Sequence, residues 1–466
     1  MCSVVGIYGN ENASKLAFYS LFSMQHRGQE AAGISSSFKG HIKTVKNRGL
    51  VTQIFKEEDF KILKGDMAIG HTRYSTAGDD SILDAQPIFA RYGLGEISIV
   101  HNGNLVNAKE IRKELIKKGA IFQSNMDTEN LIHLIAKDYQ KNTLKERITD
   151  AVKKVKGAFS LVILSRHKMF ALRDPFGFRP LSIGKIRSGG YIVASETCAF
   201  ELVDAEFIRD IKPGEMIIFE DNEIKSEMVF KPSPKQCIFE YIYFARPDSD
   251  VFGKNVYLAR KQMGRKLAKE LPVVADMVVP VPDSGVAAAL GYSEESGIPF
   301  EMGIMRNHYV GRTFIEPTQE IRNLKVKMKL SPIIEKIKGK RLVVIDDSIV
   351  RGTTSKRIVR MLRDAGAKEV HMRIAAPATI APCYYGVDTP TKEELIASKM
   401  SVEEIRKYIE ADSLAYLSIE SIIKAINDKR ENYCFACFDG NYPVYDFFSF
   451  SCSFAIFSWI LVFQIF

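Results

Sequence analysis

Two hydrophobic patterns divide the chain near residue 231. Before that point, short apolar runs alternate with turn residues, which is typical of strands in antiparallel sheets. These runs predict strands at Ser3–Ile7, Ile97–Val100, Ser160–Leu164 and Glu215–Phe219. Helical spacing occurs in fewer segments, such as 108–118 and 128–137. We therefore predict an α+β domain over residues 2–230, with antiparallel sheets layered with helices.

Beyond residue 231, the apolar runs lead into helical segments. The run Asp276–Pro282 precedes an alanine-rich helix, and the run Arg341–Ile345 leads through a polar loop into a second helix. That second helix has apolar residues at i, i+3, i+4 and i+7, namely Ile358, Met361, Leu362 and Ala365. A further strand-like run follows it at Glu369–Ala376. Strands that alternate with helices predict an α/β domain with a parallel sheet over residues 231–445.

Residues 446–466 fit neither pattern, because no charged residue follows Asp446. An uncharged apolar stretch of about 18 residues or more is typical of a membrane-spanning helix. The many serines and phenylalanines instead favour an atypical apolar tail without a role in the folded protein. We expect no membrane partner. Retention of the protein in membranes, lost on deletion of residues 447–466, would reverse this prediction.

The composition is ordinary for a globular chain of 466 residues, with 46% hydrophobic and 26% charged residues. The formal net charge of +9 is spread along the chain, so it gives little support to a nucleic-acid partner. The 7 cysteines are an odd number, and no basic region leads into an apolar segment at the start. We therefore expect a cytoplasmic protein whose thiols serve catalysis or metal binding rather than disulfides.

The first candidate for chemistry is Cys2, which directly follows Met1. Removal of that methionine would leave a thiol and a free α-amine on one residue. The amine has a pKa of about 7.7–8.0, so it can accept a proton from the thiol near neutral pH. A nucleophile that is activated by its own amine needs no histidine. We expect Cys2 to act in this way once Met1 alone has been removed.

Four polar segments, at 25–30, 70–78, 101–104 and 125–128, interrupt the strands of the first part, and we predict that they are loops. Together with Cys2, their order and spacing resemble the glutaminase domain of the N-terminal-nucleophile amidotransferases. The resemblance implies that the Cys2 thiol attacks the side-chain amide of glutamine. The Asn102 side chain and the Gly103 backbone N–H would stabilise the oxyanion. Arg73 would bind the α-carboxylate of glutamine, and Asp127 would pair with its α-ammonium group.

The loop after Ile345 is the most specific motif of the second part. It reads Asp-Asp-Ser-Ile-Val-Arg-Gly-Thr-Thr over residues 346–354 and leads into a helix. A helix N-terminus favours phosphate, whereas carboxylates suit ribose hydroxyls or a hydrated Mg²⁺ ion. The loop resembles the phosphoribosylpyrophosphate (PRPP) loop of the type I phosphoribosyltransferases. The basic stretch 305–315 resembles the mobile lid of the same family.

This second resemblance implies a PRPP site and a Mg²⁺ site. The residues expected to bind PRPP are Arg306, Tyr309, Arg312, Asp346, Asp347, Ser348, Arg351, Gly352, Thr353 and Thr354. The residues expected to hold Mg²⁺ are Ser284, Asp346 and Asp347.

A glutaminase joined to a PRPP-binding domain resembles the glutamine PRPP amidotransferases (amidophosphoribosyltransferases), over about residues 2–445. The resemblance implies that glutamine, PRPP and water give 5-phosphoribosylamine, glutamate and pyrophosphate. This is the first committed step of purine (IMP) biosynthesis. Ammonia would pass from the Cys2 site to the PRPP site through an internal channel. The resemblance also implies a homotetramer that purine nucleotides inhibit.

Four further cysteines form a possible ligand set, and they are Cys237, Cys383, Cys434 and Cys437. Their spacing suits tetrahedral Zn²⁺ or an iron–sulfur cluster and does not decide between them. The resemblance favours a [4Fe–4S] cluster with a structural role, because one branch of the family carries such a cluster at matching positions. Cys198 and Cys452 fit no site.

Two other functions are compatible with parts of the sequence. The glutaminase could give its ammonia to a sugar phosphate, although the relatives that do so lack a loop like 346–354. The PRPP-binding fold could also serve a non-catalytic sensor, but Cys2, Arg73, Asn102 and Asp127 would then have no purpose. A PRPP-dependent glutaminase assay separates the three hypotheses.

Overall fold

The structure, a computed structural model, describes residues 2–74, 81–137, 141, 143–307 and 330–444. The first part of the chain contains two antiparallel sheets, whose strands we number in chain order. The strands of the first sheet, in spatial order, are β11 (Ala205–Asp210), β9 (Ser182–Ile186), β10 (Tyr191–Ala194), β1 (Ser3–Tyr8), β4 (Met67–Arg73), β2 (Ala31–Phe38) and β3 (His41–Arg48). Those of the second are β13 (Glu223–Met228), β12 (Glu215–Glu220), β8 (Met169–Arg173), β7 (Gly157–Ser165), β6 (Gly95–Leu105) and β5 (Ile88–Tyr92).

The two antiparallel sheets pack face to face, with buried apolar residues from both sheets forming the core between them. In β1, Val4 packs between the sheets with Val100 of β6 and Val162 of β7. Its neighbour Val5 points to the outer face, where helices cover the sheet. The helices on this face are α1 (Ala13–Ser23), α2 (Val51–Ile54), α3 (Glu57–Ile62) and α7 (Cys198–Leu202). Those on the second sheet are α4 (Ala108–Lys117), α5 (Thr128–Lys137) and α6 (Leu144–Val152).

The second part contains a parallel sheet with helices on both faces. Its strands, in spatial order, are β17 (Met277–Pro280), β20 (Arg341–Asp346), β21 (Glu369–Ile374) and β22 (Ser413–Tyr416). Val278 and Val343 pack on one face, where the helices are α8 (Val256–Glu270), α9 (Val286–Ser296) and α13 (Ile419–Ile426). Val279 and Val344 pack on the other face, where the helices are α10 (Ile334–Ile337), α11 (Thr353–Asp364) and α12 (Val402–Ile409).

Short elements complete the second part. The strand pairs are β14 (Gln236–Cys237) with β23 (Tyr433–Cys434), β15 (Asp250–Val251) with β16 (Lys254–Asn255), and β18 (Ile304–Arg306) with β19 (Leu330–Pro332). A π-helical turn covers Glu240–Phe244, and the last described helix is α14 (Ala436–Asp439). The pairing of β14 with β23 is parallel and brings the end of the described chain back to its middle.

The predicted fold classes of both parts are confirmed by this layering, while the boundary between residues 230 and 231 stays a prediction. The predicted loop at 70–78 is wrong over residues 70–73, which belong to β4. The predicted loop at 101–104 is also wrong. These residues lie within β6, where they pair in register with residues 158–161 of β7. Because the polar side chains of His101 and Asn102 are buried in a site, this strand lacks the expected alternation of apolar and polar residues.

The apolar tail, 446–466, lies outside the described residues, as do Tyr309 and Arg312. None of the helices in the described ranges has the length and apolar character that a membrane crossing requires.

Candidate active site

The candidate nucleophile, Cys2, lies at the start of β1 between the ends of β4 and β6. Its backbone N–H donates to Asn102 Oδ1 at 3.4 Å, and its Sγ lies 3.8 Å from the carbonyl oxygen of Tyr74. The guanidinium of Arg27 donates from Nε to the Cys2 carbonyl at 3.1 Å. The residue is therefore held through its backbone on both sides, while its thiol remains partly exposed.

Asn102 is fully buried, and its two amide atoms differ in their contacts. Its Oδ1 accepts from Cys2, whereas its Nδ2 has no hydrogen-bond partner among the described residues. An orphaned buried donor is costly unless a ligand satisfies it. The Nδ2 therefore fits a donor for a substrate oxygen, which is the role expected of Asn102 in an oxyanion hole.

The structure leaves no space for a side chain at position 103. Its φ of 151° is in a range that other residues rarely adopt, and a Cβ would collide with the carbonyl oxygen of Ala158 on β7. The positive φ of Gly103 follows directly after Asn102, while the pairing of β6 with β7 stays in register. This agrees with a backbone N–H that is turned toward a ligand.

The two residues expected to bind the amino-acid end of glutamine are both largely buried. Arg73, at the end of β4, has its Nη2 3.9 Å from Asp84 Oδ2. Asp127 Oδ2 accepts from the Leu105 N–H at 2.8 Å, and its Oδ1 lies 3.4 Å from His101 Nδ1. Burial alone would raise the pKa of Asp127, but the His101 imidazole and the hydrogen bonds hold it below its usual value. A buried carboxylate that stays ionised suits a cationic group such as an α-ammonium.

In the second part, Asp346 and Asp347 lie at the carboxyl end of β20, as predicted. The Asp347 N–H donates to Asp346 Oδ1 at 2.9 Å, and the Ser348 hydroxyl donates to Asp347 Oδ2 at 2.6 Å. Burial and the adjacent charge of Asp347 raise the pKa of Asp346 well above its usual value. Two carboxylates in such a position are stabilised by a bound cation, which would relieve both effects.

A turn from the neighbouring strand β17 lies against this acidic pair. Gly285 packs so closely on the carbonyl oxygen of Ile345 that a side chain at 285 would not fit. Ser284, a predicted Mg²⁺ ligand, is therefore next to the end of β20. Arg306, a predicted lid residue, forms an ion pair with Asp283 of the same turn. The structure thus brings Ser284 and Arg306 to the acidic loop.

The remaining predicted PRPP residues form the start of α11. Gly352 adopts a positive φ of 75°, and Thr353 and Thr354 are exposed in the first turn of the helix. No side chain of the described residues caps this N-terminus. Arg351 is exposed, and its Nε donates to Glu394 Oε1 at 3.1 Å. Free N–H groups, exposed hydroxyls and a nearby guanidinium together suit a phosphate.

The four cysteines of the predicted ligand set line one small cavity of about 30 Å³. Burial and the neighbouring thiols raise the pKa of Cys434 and of Cys437. Within the part of the chain that the structure describes, no group of three or more His, Cys, Asp or Glu side chains has the geometry of a formed metal site. The donors nevertheless fit a thiolate-bound metal centre, because a cationic centre would offset the cost of buried thiolates.

Comparisons with known proteins agree with both halves of the site. A glutamine amidotransferase domain family matches residues 71–201, and a phosphoribosyl transferase domain family matches residues 258–395. The chain is 52% identical to the chloroplastic amidophosphoribosyltransferase of Glycine max over 445 residues, which is 95% of this chain and 78% of that protein. It is 50% identical to the amidophosphoribosyltransferase of Methanocaldococcus jannaschii over 462 residues, which is 95% of this chain and 98% of that protein. The chain belongs to the amidophosphoribosyltransferase family.

A solved structure has the same overall fold as this family member. Glutamine PRPP amidotransferase from Bacillus subtilis, complexed with ADP and GMP, superimposes with a TM-score of 0.89 at 48% identity. The alignment covers 95% of this chain and 97% of that protein. The similarity therefore extends across both parts of the chain.

One feature of this amidophosphoribosyltransferase chain was not predicted from its sequence. A fully buried ion cluster joins its two parts, with Glu240 at the centre. Arg27 donates from both terminal nitrogens to the Glu240 carboxylate at 2.8 and 2.9 Å, and Arg179 donates to it at 3.1 Å. Arg27 also forms an ion pair with Glu196. No local sequence pattern predicts this cluster, although Arg27 belongs to the polar segment 25–30 identified in the sequence.

Proposed function

We propose that the protein is an amidophosphoribosyltransferase that converts glutamine, PRPP and water into 5-phosphoribosylamine, glutamate and pyrophosphate. The reaction is the first committed step of purine (IMP) biosynthesis. The observation that carries the proposal is the orphaned Asn102 Nδ2 beside Cys2, in a chain that also presents two carboxylates at the end of a parallel strand. The family membership supports the pairing of these two sites in one enzyme.

In the glutaminase site, the Cys2 thiol adds to the side-chain carbonyl of glutamine, and its proton passes to the free α-amine. Asn102 Nδ2 and the Gly103 N–H stabilise the oxyanion of the tetrahedral intermediate. Collapse of that intermediate releases ammonia and leaves a thioester on Cys2, which water then hydrolyses to glutamate. The α-amine must be free for this role, whatever precedes Cys2 in the initial product of translation.

In the PRPP site, the start of α11 binds a phosphate through its N–H groups and the hydroxyls of Thr353 and Thr354. Asp346, Asp347 and Ser284 are the residues that would hold Mg²⁺, which, when bound, neutralises charge on the pyrophosphate leaving group. Arg306 lies close enough to this turn to contribute a further cation. The attacking nucleophile is ammonia, which is reactive only while unprotonated. We therefore assign an internal channel, which would give the ammonia a closed path from Cys2 to the PRPP site.

The test is a substrate comparison on the purified protein. Pyrophosphate release is measured with PRPP and either glutamine or ammonia, and glutamate release is measured with PRPP, fructose 6-phosphate or no acceptor. Pyrophosphate release with both nitrogen donors supports the proposal. Glutamate release that depends on fructose 6-phosphate would favour the sugar-phosphate alternative, and binding of PRPP without turnover would favour a sensor.

Replacement of Asn102 by aspartate tests the oxyanion hole. The aspartate retains an oxygen for the Cys2 N–H but lacks the Nδ2 donor. We expect glutamine-dependent turnover to fall about 10²-fold, because one lost oxyanion donor typically has an effect of this size. Ammonia-dependent turnover should not change. Steady-state kinetics with each nitrogen source measure both values, and an equal fall in the two would contradict the assignment.

We further infer that Cys237, Cys383, Cys434 and Cys437 hold a [4Fe–4S] cluster with a structural role. Their common cavity supports the inference. A second support is the Tyr385 N–H, which donates to Cys383 Sγ at 3.3 Å, because backbone N–H groups commonly donate to the ligand atoms around a metal centre. A Zn²⁺ ion is the alternative, because it takes the same ligands.

Removal of one ligand tests the metal site. Anaerobically purified wild-type protein should show a broad visible absorption band and contain about four irons and four sulfides per chain, as a [4Fe–4S] cluster requires. Cys434→Ser should lose most of the iron, whereas Cys198→Ser should keep it, because Cys198 is buried outside this cavity. A colourless wild-type protein that contains zinc would contradict the cluster.

Other expected partners stay proposals. The Bacillus subtilis structure was solved with ADP and GMP, which supports purine nucleotides as inhibitors of the present protein. A homotetramer, a cytoplasmic location and the absence of nucleic-acid and membrane partners remain the expectations drawn from the sequence.

A further inference from the structure

The strand that carries the oxyanion hole is in contact with a segment from the second part of the chain. This segment, residues 383–386, begins at Cys383 and ends at Gly386. A methyl group at Gly386 would lie 3.0 Å from the Cα, C and O atoms of Gly103. The two glycine backbones therefore touch, and Gly103 is enclosed between Gly386 and the carbonyl of Ala158.

A hydrogen bond joins the same two elements one residue further along β6. The side-chain amide of Asn104 donates from Nδ2 to the carbonyl oxygen of Tyr384 at 2.9 Å. Two consecutive residues of β6 thus contact the 383–386 segment, one through its backbone and one through its side chain. The first contact involves Gly103, which is expected to bind the oxyanion, and the second involves Asn104, which has no assigned contact with glutamine.

The 383–386 segment is itself held firmly. The Tyr385 carbonyl accepts from Arg179 Nε at 3.0 Å, and the Tyr385 hydroxyl donates to the Val444 carbonyl at 2.6 Å. The Tyr385 ring stacks on Phe178 with 4.2 Å between the ring centroids. A segment with this many buried contacts can act as a fixed support rather than as a mobile loop.

We propose that the 383–386 segment positions the oxyanion hole, with Gly386 and Tyr384 as positioning residues for glutamine hydrolysis. The inference rests on the proposed glutaminase function of Cys2. An oxyanion hole works only when its donors lie about 2.7–3.1 Å from the developing oxyanion. The pairing of β6 with β7 holds Gly103 on one side, and Gly386 supplies a second contact that limits rotation of this glycine peptide.

Two substitutions disturb this support in different ways. Gly386→Ala introduces a methyl group against Gly103, and Asn104→Ala removes the bond to Tyr384 without adding bulk or strain. The matched control is Gly440→Ala, because Gly440 also has a positive φ but has open space where its Cβ would lie. The control therefore imposes backbone strain close to the cysteine cavity without touching β6.

The decisive probe is glutamate γ-semialdehyde. Its aldehyde accepts the Cys2 thiol to form a hemithioacetal, whose oxygen occupies the oxyanion hole, whereas glutamate itself probes only ground-state binding. For Gly386→Ala and Asn104→Ala we expect kcat with glutamine and affinity for the semialdehyde to fall together, by about 10- to 100-fold in the first variant. The KM for glutamine, inhibition by glutamate and ammonia-dependent turnover should stay within about two-fold of wild type. A purely structural role would not produce this separation.

The outcomes decide between the alternatives. Unchanged kcat and semialdehyde affinity in both variants would overturn the inference, as would a fall in ammonia-dependent turnover in Asn104→Ala that equals the fall with glutamine. If Gly386→Ala does not fold, Asn104→Ala gives the answer alone. A wild-type protein without glutamine-dependent turnover would instead overturn the proposed function, which the same assay shows separately.

Discussion

Replacement of Cys2 by alanine should abolish glutamine-dependent formation of 5-phosphoribosylamine while leaving ammonia-dependent formation intact. The thiol is the protein group that forms a covalent bond to glutamine in the proposed mechanism, and its loss should lower turnover by at least about 10³-fold. The Cys2 backbone contacts with Asn102 and Arg27 do not involve the thiol, so the fold should persist. Pyrophosphate release with each nitrogen donor measures the result.

The matched control for this substitution is Cys198→Ala. Cys198 is a buried thiol in the same part of the chain, and the mechanism gives it no role. Both activities should survive in the control. Loss of the ammonia-dependent reaction in Cys2→Ala would contradict a division of labour between two sites, as would full glutamine-dependent activity. Fully active wild-type protein in which mass spectrometry finds a blocked Cys2 amine would rule out the α-amine as the base.

Replacement of Glu240 by glutamine should cause a large loss of stability. The carboxylate lies fully buried between Arg27 and Arg179, and an amide in its place would turn donor hydrogens toward at least one guanidinium group. Removal of one partner from a buried ion pair typically costs about 3–5 kcal/mol, because the remaining charge is buried with less compensation. Arg27 keeps its ion pair with Glu196, whereas Arg179 loses the Glu240 carboxylate. The change in the midpoint of urea unfolding, at unchanged slope, measures this cost.

An exposed ion pair supplies the comparison. Glu403 pairs with Arg406 one helical turn away on the surface of α12, so Glu403→Gln should leave the unfolding midpoint unchanged. An equal midpoint in Glu240→Gln and wild type would show that the buried cluster does not join the two parts energetically. Because Arg27 also donates to the Cys2 carbonyl, glutamine-dependent turnover should fall in Glu240→Gln more than ammonia-dependent turnover does.

The sequence predicts the two fold classes well because each rests on a local pattern. Short apolar runs such as Ser3–Ile7 that are bounded by turn residues indicate antiparallel strands, and the apolar run Arg341–Ile345 that leads into a helix indicates a parallel strand. The helix at 128–137 also has the predicted bounds. The segment 101–104 is misread for a physical reason: a strand that builds a polar site buries polar side chains, and its pattern then resembles that of a loop.

The site shows the same contrast. Cys2, Asn102 and Gly103 stand in motifs whose spacing a single sequence displays, and the structure brings them together. Glu240 and Gly386 carry no such signal, because their partners, Arg27 and Gly103, are more than about 200 residues away and only the fold makes them neighbours. The four cysteines are an intermediate case for prediction from the sequence. Their number suggests a set, but only the common cavity shows that they converge.

The parallel bridge between β14 and β23 has a consequence for biosynthesis. It joins Cys237 to Cys434, so one wall of the cysteine cavity is made only when the last residues of the described chain have left the ribosome. The antiparallel sheets can form much earlier, because their strands lie before residue 229. A metal centre held by all four cysteines can therefore assemble only after the chain has been synthesised through Cys437.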